Sequence, residues 1–123
     1  MNKENDQRIY LKDILERIRR IEEAMLVGET EFRLSTLHQD AMIRNFEVIG
    51  EIVKRLDTPL TALAPEGQWS LYARFRDLLI HKYDEVILDI VWETGLHDLQ
   101  PLKEATTKLL HRLDTENPST SEL

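Results

Sequence analysis

Apolar residues recur at three- and four-residue steps along most of this chain, the spacing of helices with one buried face. Over residues 7–26 the stripe is Leu11, Ile14, Leu15, Ile18, Ile21 and Met25, which predicts a long amphipathic helix. Asp13–Arg17 and Glu16–Arg20 fall four residues apart on its wet side; each such pair adds roughly a few tenths of a kcal/mol. Gly28 is the expected stop. A second helix is expected over about 36–56, capped by Ser35 or Thr36, with Leu37, Ala41, Val48, Ile49, Ile52, Val53 and Leu56 on its apolar face. Gly50 lies inside it and weakens it by up to about 1 kcal/mol relative to alanine. Close approach of another helix would compensate.

The pattern then breaks. Asp57-Thr58-Pro59 and Ala64-Pro65-Glu66-Gly67 are turn chemistry, so residues 57–68 read as a connector within one domain. A shorter helix follows over about 68–80, with Trp69, Tyr72, Phe75, Leu78 and Leu79 on its apolar side. From about 85 the chain turns helical again through Val86, Ile87, Ile90 and Val91, then Leu99, Leu102, Leu109, Leu110 and Leu113. Gly95 and Pro101 are expected to interrupt that run, Pro101 because it lacks a backbone donor. No strand-like alternation and no repeat is present. The expected architecture is all-α, an antiparallel bundle of four to five helices over residues 1–116. A loose tail is expected over 117–123.

Composition narrows this picture. The chain has 123 residues, 41% hydrophobic and 32% charged, which suits one small globular domain. A core this small leaves apolar surface that a second copy could cover. There are no cysteines, so disulfides, thiolate nucleophiles and cysteine-ligated metals are excluded. The polar start, Met1 to Asp6, leads to no apolar block, and no run reaches the roughly 18 apolar residues of a membrane span. A cytoplasmic protein is expected.

The net charge of −7 argues against extensive nucleic-acid binding but leaves room for a local cationic site. Residues 69–83 carry Arg74, Arg76 and Lys82 against Asp77, whereas 84–104 carry six acids and only Lys103.

The candidate chemistry lies in that cationic stretch: Arg76, four residues, His81, one residue, Tyr83. Residues five apart on one helix point about 140° away from each other. Arg76 and His81 converge only if the helix ends near His81, or if two copies of the motif face each other across a dimer. Asp77 is four residues before His81 and could accept from one imidazole nitrogen, setting its tautomer. Such a set suits RNA cleavage without a metal. A histidine titrating near neutrality can take the 2′-hydroxyl proton or supply one to the leaving 5′-oxygen. A guanidinium can hold two oxygens of the charged phosphorus centre. His38, His97 and His111 are scattered without ligand spacing, so no metal site and no cofactor is expected.

Longer segments carry a resemblance. The run Trp69 to Val86 containing the motif, Ile90-Val91-Trp92-Glu93, and Asp98 to Leu102 look like the HepT-like branch of the HEPN superfamily. Asn45 to Leu56 is similar to the second-helix signature of that branch. The resemblance runs from about residue 8 to 113. It implies a homodimeric helical bundle whose motifs meet in an interface cleft. It implies a metal-independent RNase acting as the toxin of a two-gene toxin–antitoxin system. The implied partner is a minimal nucleotidyltransferase antitoxin, MntA-like, that attaches AMP to the motif tyrosine. Carried onto this sequence, Arg76 and His81 are catalytic, Asp77 supports them, and Tyr83 is the adenylylation site. The connector 57–68 contains no Lys or Arg, a departure if RNA runs along it in the family.

Several residues have an ordinary reading beside the functional one. Asp77 is a catalytic support or a solvated helix acid, and Tyr83 a modified residue or a half-buried aromatic. Asn45 is a buried polar contact or the exposed edge of a stripe. Glu51 reads better as a solvated acid than as a support for the site. Trp69, Tyr72 and Phe75 read as packing rather than a base-stacking platform, and Trp92 also as packing. The competing function is a non-catalytic HEPN-type module that docks a nucleotidyltransferase. The antitoxin itself is set aside, because its glycine-serine turn and strand-borne aspartate pair are missing.

Overall fold

The computed structural model describes residues 3–80 and 84–116. Among them every regular element is helical: α1 (Lys3–Met25), α2 (Glu29–Leu34), α3 (Thr36–Val53), α4 (Thr58–Thr61), a 3-10 turn (Pro65–Gly67), α5 (Trp69–Leu79), α6 (Glu85–His97) and α7 (Leu99–Glu116). The all-α bundle expected from the sequence is what forms. The tail 117–123 lies outside the described residues, and no described helix is long and apolar enough to cross a membrane.

Helices α1 and α3 are antiparallel. The Gln7 amide reaches the Arg55 carbonyl and the Asp57 N–H at one end, and Arg17 donates to Asn45 midway. Helices α1 and α7 are antiparallel too, with Arg8 on Asp114 and Leu113 and Lys103 on Glu22. Helix α5 runs alongside α3 in the same direction. Phe46 meets Tyr72 and Phe75, and further along both helices Lys54 meets Asp77. A short loop would force an antiparallel return. The connector 57–68 is long enough to carry the chain back to the middle of α3, level with Phe46, before α5 begins. Trp69 pins it there, its indole N–H donating to the Ala64 carbonyl at 2.8 Å.

The core is built from the predicted stripes: Leu11, Ile14, Ile18 and Ile21 from α1, Ile49 and Ile52 from α3, and Leu102 and Leu109 from α7. Trp69, Tyr72, Phe75 and Trp92 are all buried and belong to packing. Met42, Ile43 and Phe46 are buried as well and turn the α3 face toward α5 and α6.

Four expected core positions are instead on the surface: Leu37, Leu78, Val86 and Ile90. Among the described residues no neighbouring helix covers them. Ser35, not Thr36, caps α3, its side chain accepting from the His38 N–H. Gly28 does follow the end of α1, with φ of 86°, and the chain then makes the unforeseen α2, whose Phe32 packs on Trp92. Gly95 does not interrupt α6: a Cβ there would sit 2.7 Å from the Met25 sulfur, so the glycine admits two methionines to the helix surface. The break comes at Asp98, and Pro101 falls in the first turn of α7, where a missing N–H costs little.

Gly50 is where α3 and α5 touch. A Cβ there would lie 2.5 Å from both the Tyr72 carbonyl oxygen and the Arg76 Cβ. The oxygen belongs to a helix backbone and cannot move aside cheaply. Overpacking of about 1–3 kcal/mol is set against a propensity gain of about 1 kcal/mol, so G50A is expected to be destabilised by up to about 2 kcal/mol. Urea unfolding of the two proteins checks this: a lower midpoint with an unchanged slope is expected, and a raised midpoint would refute the contact.

Candidate functional site

The contact at Gly50 sets Arg76 on the last turn of α5, facing α3. Its side chain is about a third exposed, and its Nε lies 3.0 Å from Glu51 Oε2 in an ion pair. Its Nη1 lies 3.4 Å from Asp77 Oδ1. Asp77 accepts a stronger bond from Lys54 Nζ at 3.1 Å. Two residues flanking Gly50 by one and four positions thus hold the two charged residues at the head of the motif.

Arg76 borders an open groove of about 310 Å³ between α1, α3 and the end of α5. Arg17, Arg44, Arg55 and Arg76 line it against Asp13, Glu47 and Glu51. Four cations face three carboxylates, a small local surplus on a chain that is acidic overall. Asn45, outside the groove lining, is buried, with its amide donating to the Ala41 carbonyl at 2.7 Å and its oxygen accepting from Arg17. The buried reading of Asn45 is therefore the right one. Glu51 is half-buried and ion-paired with Arg76 rather than free in solvent.

Helix α5 ends at Leu79, and the Ile80 N–H closes its last turn on the Arg76 carbonyl. Asp84 caps α6, its carboxylate accepting from the Ile87 N–H at 3.1 Å. His81 and Tyr83 lie between these two caps in the sequence and outside the described residues. Among the described residues Asp77 is engaged by Lys54 and Arg76. Elsewhere, His38 pairs with Ser35 and His97 with Glu93, each on its own helix or cap.

Sequence reasoning undervalued Glu51 and did not single out Lys54. The available signal was Gly50: if another helix packs there, the polar neighbours one and four positions on face the same helix.

With this geometry in view, comparison with known proteins identifies the class and then the family. The fold is a helical bundle with an arginine-lined groove. Residues 14–109 match the family described as ribonuclease HepT-like, and the chain belongs to that family. It is 39% identical over 101 residues to a protein of Thermococcus cleftensis named "Probable ribonuclease HepT", covering 81% of this chain and 92% of that one. It is 40% identical over 110 residues to a Methanocaldococcus jannaschii protein named "Gamma-glutamylcyclotransferase and putative RNase". That match covers 89% of this chain, which spans half the length of the Methanocaldococcus protein. No solved structure matches the chain.

The Lys54 ammonium beside Asp77, with Arg76 adding to it, holds the Asp77 carboxyl below its ordinary value. A depressed folded-state pKa means a stabilising contribution present above the unfolded-state pKa and lost as pH falls through the folded one. In K54M the Asp77 carboxyl is expected to titrate at higher pH than in the wild type. Carbon-detected NMR titration measures it, and an unshifted Asp77 would remove Lys54 as the main cause.

Proposed function

We propose that this chain is a metal-independent endoribonuclease toxin of a toxin–antitoxin system, working as a homodimer. Arg76 and His81 are the catalytic pair, and Asp77 supports them. The observation that carries the reading is the placement of Arg76: half-buried, held by Glu51, and presented at a groove immediately before the end of α5. Membership of a ribonuclease family supplies the substrate class.

In this reading the RNA 2′-oxygen loses its proton to His81 or its dimer mate and bonds to phosphorus. The bond to the 5′-oxygen breaks, and that oxygen takes up a proton. The Arg76 guanidinium stabilises the charge that builds on the non-bridging oxygens. The cognate nucleotidyltransferase antitoxin silences the toxin at Tyr83. The tyrosine oxygen bonds to the α-phosphorus of a nucleoside triphosphate, pyrophosphate leaves, and the phenolic proton is lost. An AMP group there adds charge and bulk two residues from His81.

The test is cleavage of labelled total RNA by purified protein in excess EDTA, with the intact mass recorded and H81A prepared alongside. Wild-type cleavage is expected, reduced about 100- to 10,000-fold in H81A. No cleavage by protein carrying added AMP would mean the silenced form had been purified, and cleavage should then return on removal of AMP. No cleavage by unmodified protein would favour the non-catalytic docking module, a reading to which the net charge of −7 lends weight.

A further inference from the structure

We infer that Glu51 is a positioning residue for the Arg76 guanidinium, and that Gly50 sets the distance at which it works. This deepens the ribonuclease reading and rests on it.

A guanidinium carries five N–H donors in a plane, and a carboxylate on one edge fixes where the other edge points. Glu51 Oε2 lies 3.0 Å from Nε. Asp77 lies at the long distance of 3.4 Å from Nη1 and is itself drawn to Lys54 at 3.1 Å. The α3 carboxylate thus gives the guanidinium its nearer acidic partner at the border of the groove.

The partner comes from a different helix, as it also does for Arg8 and Arg33. Arg19 and Arg20 instead pair with carboxylates of their own helix, three or four residues away. Such pairs form and break with side-chain rotation. Arg76 is held across the α3–α5 contact, where a Cβ on Gly50 would come within 2.5 Å of the Arg76 Cβ. The Arg76 stem is thus gripped at its root by α3 and at its Nε by the next residue of α3. Both restraints lower the freedom lost when a phosphate binds.

A second carboxylate near an anion site would ordinarily repel the substrate. Positioning and repulsion predict opposite signs, which makes the idea testable. We expect E51A to lower kcat for RNA cleavage by up to about 100-fold with KM little changed. E51Q keeps an acceptor and should recover most of that loss. The double variant E51A/R76A should be no slower than R76A alone, because Glu51 acts through Arg76.

A readout independent of activity is the Arg76 Nε–H resonance in ¹⁵N-labelled protein. It should be shifted by the nearby carboxylate in the wild type and should move to the solvent-exposed position in E51A, with far-UV circular dichroism unchanged. An unaltered Nε–H in E51A, a kcat equal to wild type, or faster cleavage would each overturn the inference while leaving the ribonuclease reading intact. A wild type without nuclease activity but with a shifted Nε–H would overturn the catalytic role and leave only the ion pair.

Discussion

The backbones of α3 and α5 meet at Gly50, and most of what matters near the motif follows from that contact. A side chain there would strike the Tyr72 carbonyl and the root of Arg76. Without one, α5 sinks against α3, Phe46 engages Tyr72 and Phe75, and the charged residues that follow Gly50 come level with the end of α5. Tyr72 completes the seat, its hydroxyl donating to the Asp98 carbonyl between α6 and α7 at 2.9 Å. Burial pushes the Tyr72 phenol well above its ordinary range, so it stays a neutral donor. The propensity cost of one glycine is offset by a close helix–helix contact.

Charge is organised in two tiers. On the outer surface, cations and acids pair along single helices. Glu16 is typical: Arg19 first, with Arg20, draws its carboxyl down to about 2. Exposed pairs of this kind add little to stability. Pairs between helices have different roles. Arg8 on Asp114 and Lys103 on Glu22 tie α1 to α7. Arg33 bridges α2 to Asp89 of α6. Glu51 and Lys54 reach from α3 to Arg76 and Asp77. The groove beside Arg76 is thus a place where a chain of charge −7 presents a slight excess of cations.

Much of the fold was legible because helices advertise themselves by period. The stripes of α1, α3, α5 and α7 and the cap at Ser35 follow from residue types and spacing, although α3 stops at Val53, short of the expected end near 56. The misses share one cause. Leu37, Leu78, Val86 and Ile90 are apolar, yet they are exposed because among the described residues no neighbouring helix covers them. Gly95 resembles a breaker and serves as a seat for Met25 and Met42. Helix α2 is six residues long, too short for a period to show. Arg76 and Asp77 stood out by sequence, whereas the ion pair of Glu51 with Arg76 and the burial of Asn45 did not.

The sequence by itself determined where the long helices lie, which residues form the centre of each apolar stripe, and which short run carries the Arg-His-Tyr motif. Those are local properties, set by dihedral preference, capping and a period of 3.6 residues. Only the tertiary structure decided that α5 runs with α3 rather than against it, and that Asn45 is buried. It also decided that Glu51 rather than solvent meets Arg76. Period specifies a direction around a helix axis but not what stands in that direction. What stands there depends on the length of the connector 57–68 and on the one position where the two backbones can touch.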